Sequence, residues 1–565
     1  MRYGGGSRLL TFLAAVASLS VRAAEPEAFI AQAGIPGGLR AEGRVVVAIV
    51  DDGLRMDHEE IRPFLWRNPR EVPGNGFDDD GNGRVDDVYG WDAGDLDADP
   101  APPAANRGEF FHGTHLAGIL AQIGRHAYGE AAPRHLRILP VKSLRDDSRR
   151  KQLTHAFRGI AYAIDAGADI ILCAWGVHAI AEAEKAVLER ARHAGILIVA
   201  AGGNIPGERE AFPAAHPAAL AVSGHDFLGR KLPRATYGEF VDLTAPAEDI
   251  RAASSTGTTT DRAVHSGSSQ AAAIVAGAAA ILKLQRPAAT PADIRAALLN
   301  AATVTTQNPA YRYKLGAGKL NLRRALRNGV VPAATTLLQS KGVLPVDLSR
   351  EGEWSLGPFD RIEGFRLRPL SAAGSPASGE VEVVSSGGGD PATRNWPLRE
   401  LPEEMLLPGE KLILRYRPGE TPAAGELLFG FSVLPVDQST LYCDGRESIV
   451  AEGILSDGSG EAPYSPDTSC FWQITAPEGK VVRIEFLALD TELPADKVYF
   501  FNGRGTYEPI MAIYTGSQLP KPLTTWSNEV LVWFVTDGRR QKQGWEFAVT
   551  FVDAPAAAAS SPPSP

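Results

Sequence analysis

The chain has no extended basic cluster: its 565 residues carry a formal net charge of −10. That excludes nucleic acid or an anionic membrane surface as its main partner. After residue 23 there is also no apolar run of the about 20 residues needed to cross a bilayer, so the mature chain is expected to lack a membrane span. Cysteine is scarce, with three in all. His112 and His115 share one segment, but the glutamate and the i, i+4 histidine spacing of a zinc-binding helix are missing.

What is present is a 44% apolar composition. Over this length it allows full cores in about three or four domains. Arg2 and Arg8 precede an apolar stretch at 9–21 and then small residues, which reads as a secretory signal peptide over 1–23. The stretch is short for a membrane anchor. The chain is therefore expected to be secreted, in a periplasmic or extracellular setting. A short N-terminal segment, 24–43, follows.

Three distant segments each end or begin on a chemically reactive residue. VVVAIVDDG over 45–53 is a β-branched run that reads as a buried strand, with Asp51 at its carboxyl end, where open α/β sheets hold their ligands. FHGTHLAGIL over 111–120 opens a helical pattern at His112, and SGSSQAAAIVAGAAA over 266–280 opens another near Ser269. A serine at a helix N-terminus has free N–H groups and a positive dipole end nearby. Serine needs a neutral imidazole to take its proton, and that imidazole needs a buried carboxylate to orient it. Asp51, His112 and Ser269 fit as orienter, base and nucleophile.

In the order Asp, His, Ser these segments resemble the subtilisin-like serine proteases, the subtilases. The resemblance implies an α/β fold, a subtilisin-like parallel sheet with helices on both faces, and serine endopeptidase activity on protein or peptide substrates. Within ILIVAAGGNIPG, 196–207, it makes Asn204 the side-chain donor of the oxyanion hole. ADIILCAWG, 168–176, resembles the strand that pairs with substrate, which implicates Ala174, Trp175 and Gly176. FPA at 212–214, FVDLTAPAEDI at 240–250 and GAGKLNLRRAL at 316–326 match later landmarks, so the catalytic domain is expected over 44–329. Gly267-Ser268-Ser269-Gln270-Ala271-Ala272-Ala273-Ile274 departs from the family's Gly-Thr-Ser-Met-Ala-Ser-Pro-His, and Gln270 is expected to bear on the pocket floor. The pro-domain many subtilases carry has no counterpart in 24–43.

An acidic insertion, 74–100, sets Asp78, Asp80 and Asn82 at alternate positions, followed by Gly83 and Asp86. Hard oxygen ligands on a glycine turn suit structural Ca2+. Tyr89 stands where an EF-hand has its glutamate, with Asp87 as a substitute; the same loop also reads as a solvated acidic surface.

Expected helices cover 152–166, 179–193 and 291–302, the last with Thr290 as cap and Pro291 at the first turn. They alternate with strands at 138–141, 169–174 and 196–201, as a doubly covered parallel sheet requires. From about residue 330 the pattern turns to short strands and Gly/Pro turns, which predicts two all-β modules: a β-sandwich spacer over 334–437, then a second module over 441–552. The second resembles a CUB domain. That resemblance implies a Cys443–Cys470 disulfide, calcium at Glu492, Asp496 and Asp537, and a docking role toward a protein partner. Cys173, among apolar neighbours, is left as a buried free thiol. The tail 553–565 reads as disordered, and the chain as a monomer. The competing functional class is a catalytically silent binding protein that uses the same frame and its CUB-like domain.

Overall fold

The computed structural model describes residues 28–148, 153–304, 311, 313–327, 336–337, 339–359, 362–370, 379–387, 392–419, 426–435, 446–460, 463–465, 468–506, 508–536 and 540–554. The signal peptide expected over 1–23, Cys443, Asp537 and nearly all of the tail lie outside them.

Seven strands form one sheet in the order β2-β3-β1-β4-β5-β6-β7. They are β1 (Val45–Asp51), β2 (Trp91–Asp92), β3 (Leu136–Lys142), β4 (Ile170–Cys173), β5 (Leu197–Ala201), β6 (Ala219–His225) and β7 (Leu243–Pro246). All neighbours pair in parallel. β1 lies between β3 and β4 and is buried along its whole length, which is why its sequence is a continuous apolar run rather than an alternation. A hairpin of β8 (Ile250–Ala253) and β9 (Arg262–His265) follows.

The helices are α1 (Ala28–Gln32), α2 (His112–Tyr128), α3 (Ala132–His135), α4 (Ala156–Asp165), α5 (Glu182–His193), α6 (Ser268–Gln285), α7 (Pro291–Asn300) and α8 (Leu322–Arg327). On one face Val45, Val47 and Ile49 of β1 pack with Leu116 and Ile119 of α2 and Ile274 and Val275 of α6. On the other, Val46, Ala48 and Val50 pack with Ile160 of α4 and Leu188 of α5. The expected doubly covered α/β sheet is therefore present, with helix starts differing by a few residues at α4 and α5. Thr290 caps α7, its hydroxyl oxygen accepting from the Asp293 N–H at 3.2 Å. Small residues let α2 and α6 approach closely: a Cβ on Gly277 would lie 2.7 Å from Ile123.

Two all-β units follow, each of one five-stranded and one four-stranded sheet. The first includes strands at Ile362–Pro369, Gly379–Ser386, Lys411–Pro418 and Glu426–Pro435. Its core holds Trp354, Phe365 and Phe429. The second is built around Trp472, Phe500, Phe534, Trp545 and Phe547. The first β unit is not held by a tether alone: its Val343 and Leu428 join the apolar cluster of the α/β domain. The Asn300 side chain, at the end of α7, donates to Val343 O at 2.7 Å and accepts from Val343 N at 3.0 Å.

Candidate active site

β1 delivers Asp51 to the carboxyl edge of the sheet, and α2 begins at His112 beside it. Both Asp51 carboxylate oxygens lie within hydrogen-bond distance of His112 Nδ1, at 2.8 and 2.9 Å. Asp51 is buried, while the imidazole is 26% exposed. This pairing fixes the ring and directs Nε2 away from the carboxylate. The N-cap residue of α2, Phe111, has no polar side chain, and Asp52 takes over the capping from a distance. Its carboxylate accepts from His112 N at 2.9 Å and Gly113 N at 2.7 Å. Gly113 permits this closeness, because a Cβ there would stand 2.5 Å from the Gly53 carbonyl oxygen. Burial opposes the imidazolium, but the Asp51 carboxylate, its hydrogen bond and the Asp52 charge outweigh it and raise His112 to about 9. Burial and the Asp51 charge push Asp52 well above the ordinary carboxylate range.

Ser269 is in the first turn of α6, whose N-cap Gly267 has φ +153°. A Cβ on Gly267 would lie 3.1 Å from Asn204 Nδ2. Asn204 follows β5 and accepts through Oδ1 from Ser268 N at 2.9 Å, which leaves its Nδ2 hydrogens as donors at the helix N-terminus. The Ser269 hydroxyl donates to Ala174 O at 3.0 Å. Among the described residues no hydrogen bond joins Ser269 to His112; a proton transfer between them would need the hydroxyl to turn from Ala174 toward the imidazole. Apo sites often tighten this way only with substrate bound. Ala174 thus adjoins Ser269, and Trp175 is pinned by its Nε1–H to Val50 O at 2.9 Å. A Cβ on Gly176 would stand 3.0 Å from that of Ala211.

Gln270 is 4% exposed, and its amide nitrogen lies 3.4 Å from His115 Nδ1. His115 Nε2 lies 3.1 Å from Ile250 O. Burial, then the charges of His265 and His112, push His115 down to about 3, so it stays neutral and ties α2 to α6 and β8. Cys173 is a buried free thiol.

The acidic insertion is arranged differently from its sequence pattern. Asp86 turns its carboxylate to the N–H groups of Gly74, Asn75 and Gly76. Asp78 accepts from Asn82 N and Gly83 N. The carboxylates that converge are those of Glu71, Asp80 and Asp87, with oxygen atoms within 4.8 Å of one another. Asn82 joins them, donating to Asp87 at 3.1 Å. Among the described residues Glu71 Oε2 and Asn82 Oδ1 are buried acceptors without a donor, which is what a hard cation would satisfy. Glu71 lies before the acidic window and Asp52 beside a residue already chosen, so sequence reasoning passed over both. In a second acidic group, Asp92, Asp95 and Asp146, the charges already face the buried Lys142. In the second β unit the Tyr464 hydroxyl donates to the fully buried Asp496 and accepts from Glu492 N at 3.0 Å. Glu492 Oε2 is also a buried acceptor without a donor among the described residues.

A parallel α/β sheet carries a carboxylate–imidazole pair at its carboxyl edge and a serine in the first turn of a helix. Residues 42–318 match the family model described as the subtilase family, and residues 443–549 match the CUB domain model. Thermitase of Thermoactinomyces vulgaris is 32% identical over 283 residues, covering 50% of this chain and 88% of that protein. The halolysin-like extracellular serine protease Nep of Natrialba magadii is 29% identical, covering 44% of this chain and 42% of that protein. A thermophilic serine proteinase of Bacillus sp. (strain AK1) is 34% identical, covering 42% and 52%. The chain therefore spans about half the length of the latter two relatives. It belongs to the subtilase family of serine proteases and carries a CUB domain.

Proposed function

We propose that the chain is a secreted endopeptidase that hydrolyses peptide bonds through Asp51, His112, Ser269 and Asn204. The observation that carries this reading is the bidentate Asp51–His112 contact beside a serine at the α6 N-terminus. His112 Nε2 takes the Ser269 proton as Oγ attacks the scissile carbonyl, and Asp51 stabilises the imidazolium so formed. Asn204 Nδ2 and the Ser269 backbone N–H stabilise the oxyanion, and His112 then returns the proton to the leaving amine. Residues 174–176 line the substrate backbone beside the nucleophile. The catalytic domain is assigned to 44–329, the β-sandwich to 334–437 and the CUB-like domain to 441–552.

Glu71, Asp80, Asn82 and Asp87 fit a structural calcium ion, which when bound would offset most of the charge of three converging carboxylates. Glu492 and Asp496 offer a second set in the CUB domain. That domain, with its Cys443–Cys470 pairing, is assigned to docking a protein substrate or partner. Secretion is supported by the leader pattern and by a relative named as extracellular. No described helix is long and apolar enough to cross a membrane.

Labelling with a fluorophosphonate probe tests the reading. Covalent capture of the wild type, and none of Ser269→Ala, is expected. Folded, secreted protein that does not label would replace the protease reading with that of a silent binding protein.

A further inference from the structure

Lys341, at the start of the first β strand (Lys341–Asp347) of the sandwich's four-stranded sheet, reaches into the α/β domain. Its ammonium donates to the carbonyl oxygens of Glu239 at 2.9 Å, Val241 at 3.2 Å and Phe240 at 3.3 Å. It also pairs with the buried Asp242 at 2.8 Å, which Arg295 binds from the other side, again at 2.8 Å. A second sandwich side chain, Arg366, pairs with Glu239 at 2.8 Å. The 239–241 turn is thus held by two cations from outside its own domain. A point charge on a flexible stem can serve three carbonyls at once, which the planar fork of arginine does less readily.

The turn is continuous with a segment that straps the loop carrying Asn204. Val241 N donates to Gly238 O, Tyr237 N to Gly207 O and Thr236 N to Gly203 O. The Thr236 hydroxyl donates to Ile205 O at 2.7 Å, and its oxygen would lie 2.6 Å from a Cβ on Gly203. The Gly203 N–H in turn reaches Ser268 Oγ at 3.2 Å, next to the nucleophile. Contacts therefore run without a gap from the sandwich, through 236–241, to 203–207.

We propose that Lys341 is a positioning residue for the oxyanion loop: the β-sandwich, through Lys341 and Arg366, holds the 236–241 segment against 203–207 and so fixes Asn204. This rests on the reading of Asn204 as oxyanion donor. The sandwich is then part of the catalytic apparatus rather than a spacer.

The test is a double-mutant cycle in the full-length chain, with kcat and KM measured on a peptide substrate. Lys341→Met should lower kcat about three- to thirty-fold with little change in KM, and Lys341→Arg should restore part of it. In an Asn204→Ala background the Lys341→Met loss should vanish, because the donor it positions is gone. Wild-type kcat in folded Lys341→Met, or the same fold loss in both backgrounds, overturns the proposal. If Lys341→Met does not fold, Arg366→Gln decides: it touches only side chains at the rim and should lower kcat by about two-fold or more. An unchanged kcat in Arg366→Gln would then overturn it. Asn204→Ala alone reads the underlying assignment. An unchanged kcat there overturns the oxyanion role and this proposal with it, whereas a large loss there with Lys341→Met unaffected overturns the proposal only.

Discussion

Asp52 caps the helix that begins at His112, its carboxylate accepting from the His112 N–H at 2.9 Å. His112 thus faces one carboxylate through its ring, Asp51, and a second through its backbone. Both favour the imidazolium, and His112 is raised to about 9. The base works only when neutral, so raising its pKa moves the acid limb of activity upward. We expect kcat/KM to be low at neutral pH and to rise as pH approaches about 9. Asp52→Asn removes a negative charge while keeping an acceptor, so the His112 pKa falls and the limb shifts to lower pH, by about one unit or more. A pH–rate profile of both proteins checks this, and a limb that does not move refutes the electrostatic role of Asp52.

Asn204→Ala should lower kcat by about a hundred- to a thousand-fold with KM nearly unchanged, since the donor matters only once the oxyanion forms. Ser269→Ala should lower it by about a million-fold. Steady-state kinetics on one peptide substrate separates the two, and equal losses would argue against an oxyanion role distinct from the nucleophile.

Calcium should raise the melting temperature of the wild type and chelator should lower it, as expected of a ligand bound to the folded state, worth about 2.7 kcal/mol at a hundredfold excess over Kd. Glu71→Gln and Asp87→Asn should reduce this dependence. Asp86→Asn should not, because the Asp86 carboxylate serves the N–H groups of 74–76. Calorimetry with and without chelator checks it. A dependence abolished by Asp86→Asn and kept in Glu71→Gln would reverse the ligand assignment.

Gly113→Ala should destabilise the protein by about 1–3 kcal/mol, because the new methyl meets a backbone carbonyl that cannot swing aside. The strain falls between β1 and α2, so His112 should move off Asp51 and probe labelling should slow. Melting and labelling rates together check it; a variant with wild-type values in both would show that the two elements separate easily.

Much of the candidate site was legible in the chain. Asp51, His112 and Ser269 each stand at the end of a strand or the start of a helix, with Asn204 in the turn after β5, and such boundaries are written in local patterns: a β-branched run, a glycine before a helix, small residues along one. Asp52 was less legible. Its neighbour already carried a role, and only the approach of α2 makes it a cap for N–H groups 60 residues away. The acidic insertion was legible only in part for a related reason. Alternate spacing identified an acidic turn, but glycines at positive φ such as Gly81 and Gly83 fold it so that Asp86 faces backbone amides and Glu71 enters from outside.

By itself, then, the sequence determined the elements and the reactive residue types, because periodicity, capping and turn chemistry depend on neighbours along the chain. Which charges meet was left to the tertiary structure. Glu71 with Asp87, Asp52 with the α2 N-terminus, and Lys341 with the 239–241 carbonyls are contacts through space. Each depends on how sheets and helices pack, and a buried charge or carbonyl takes whatever partner that packing brings within reach.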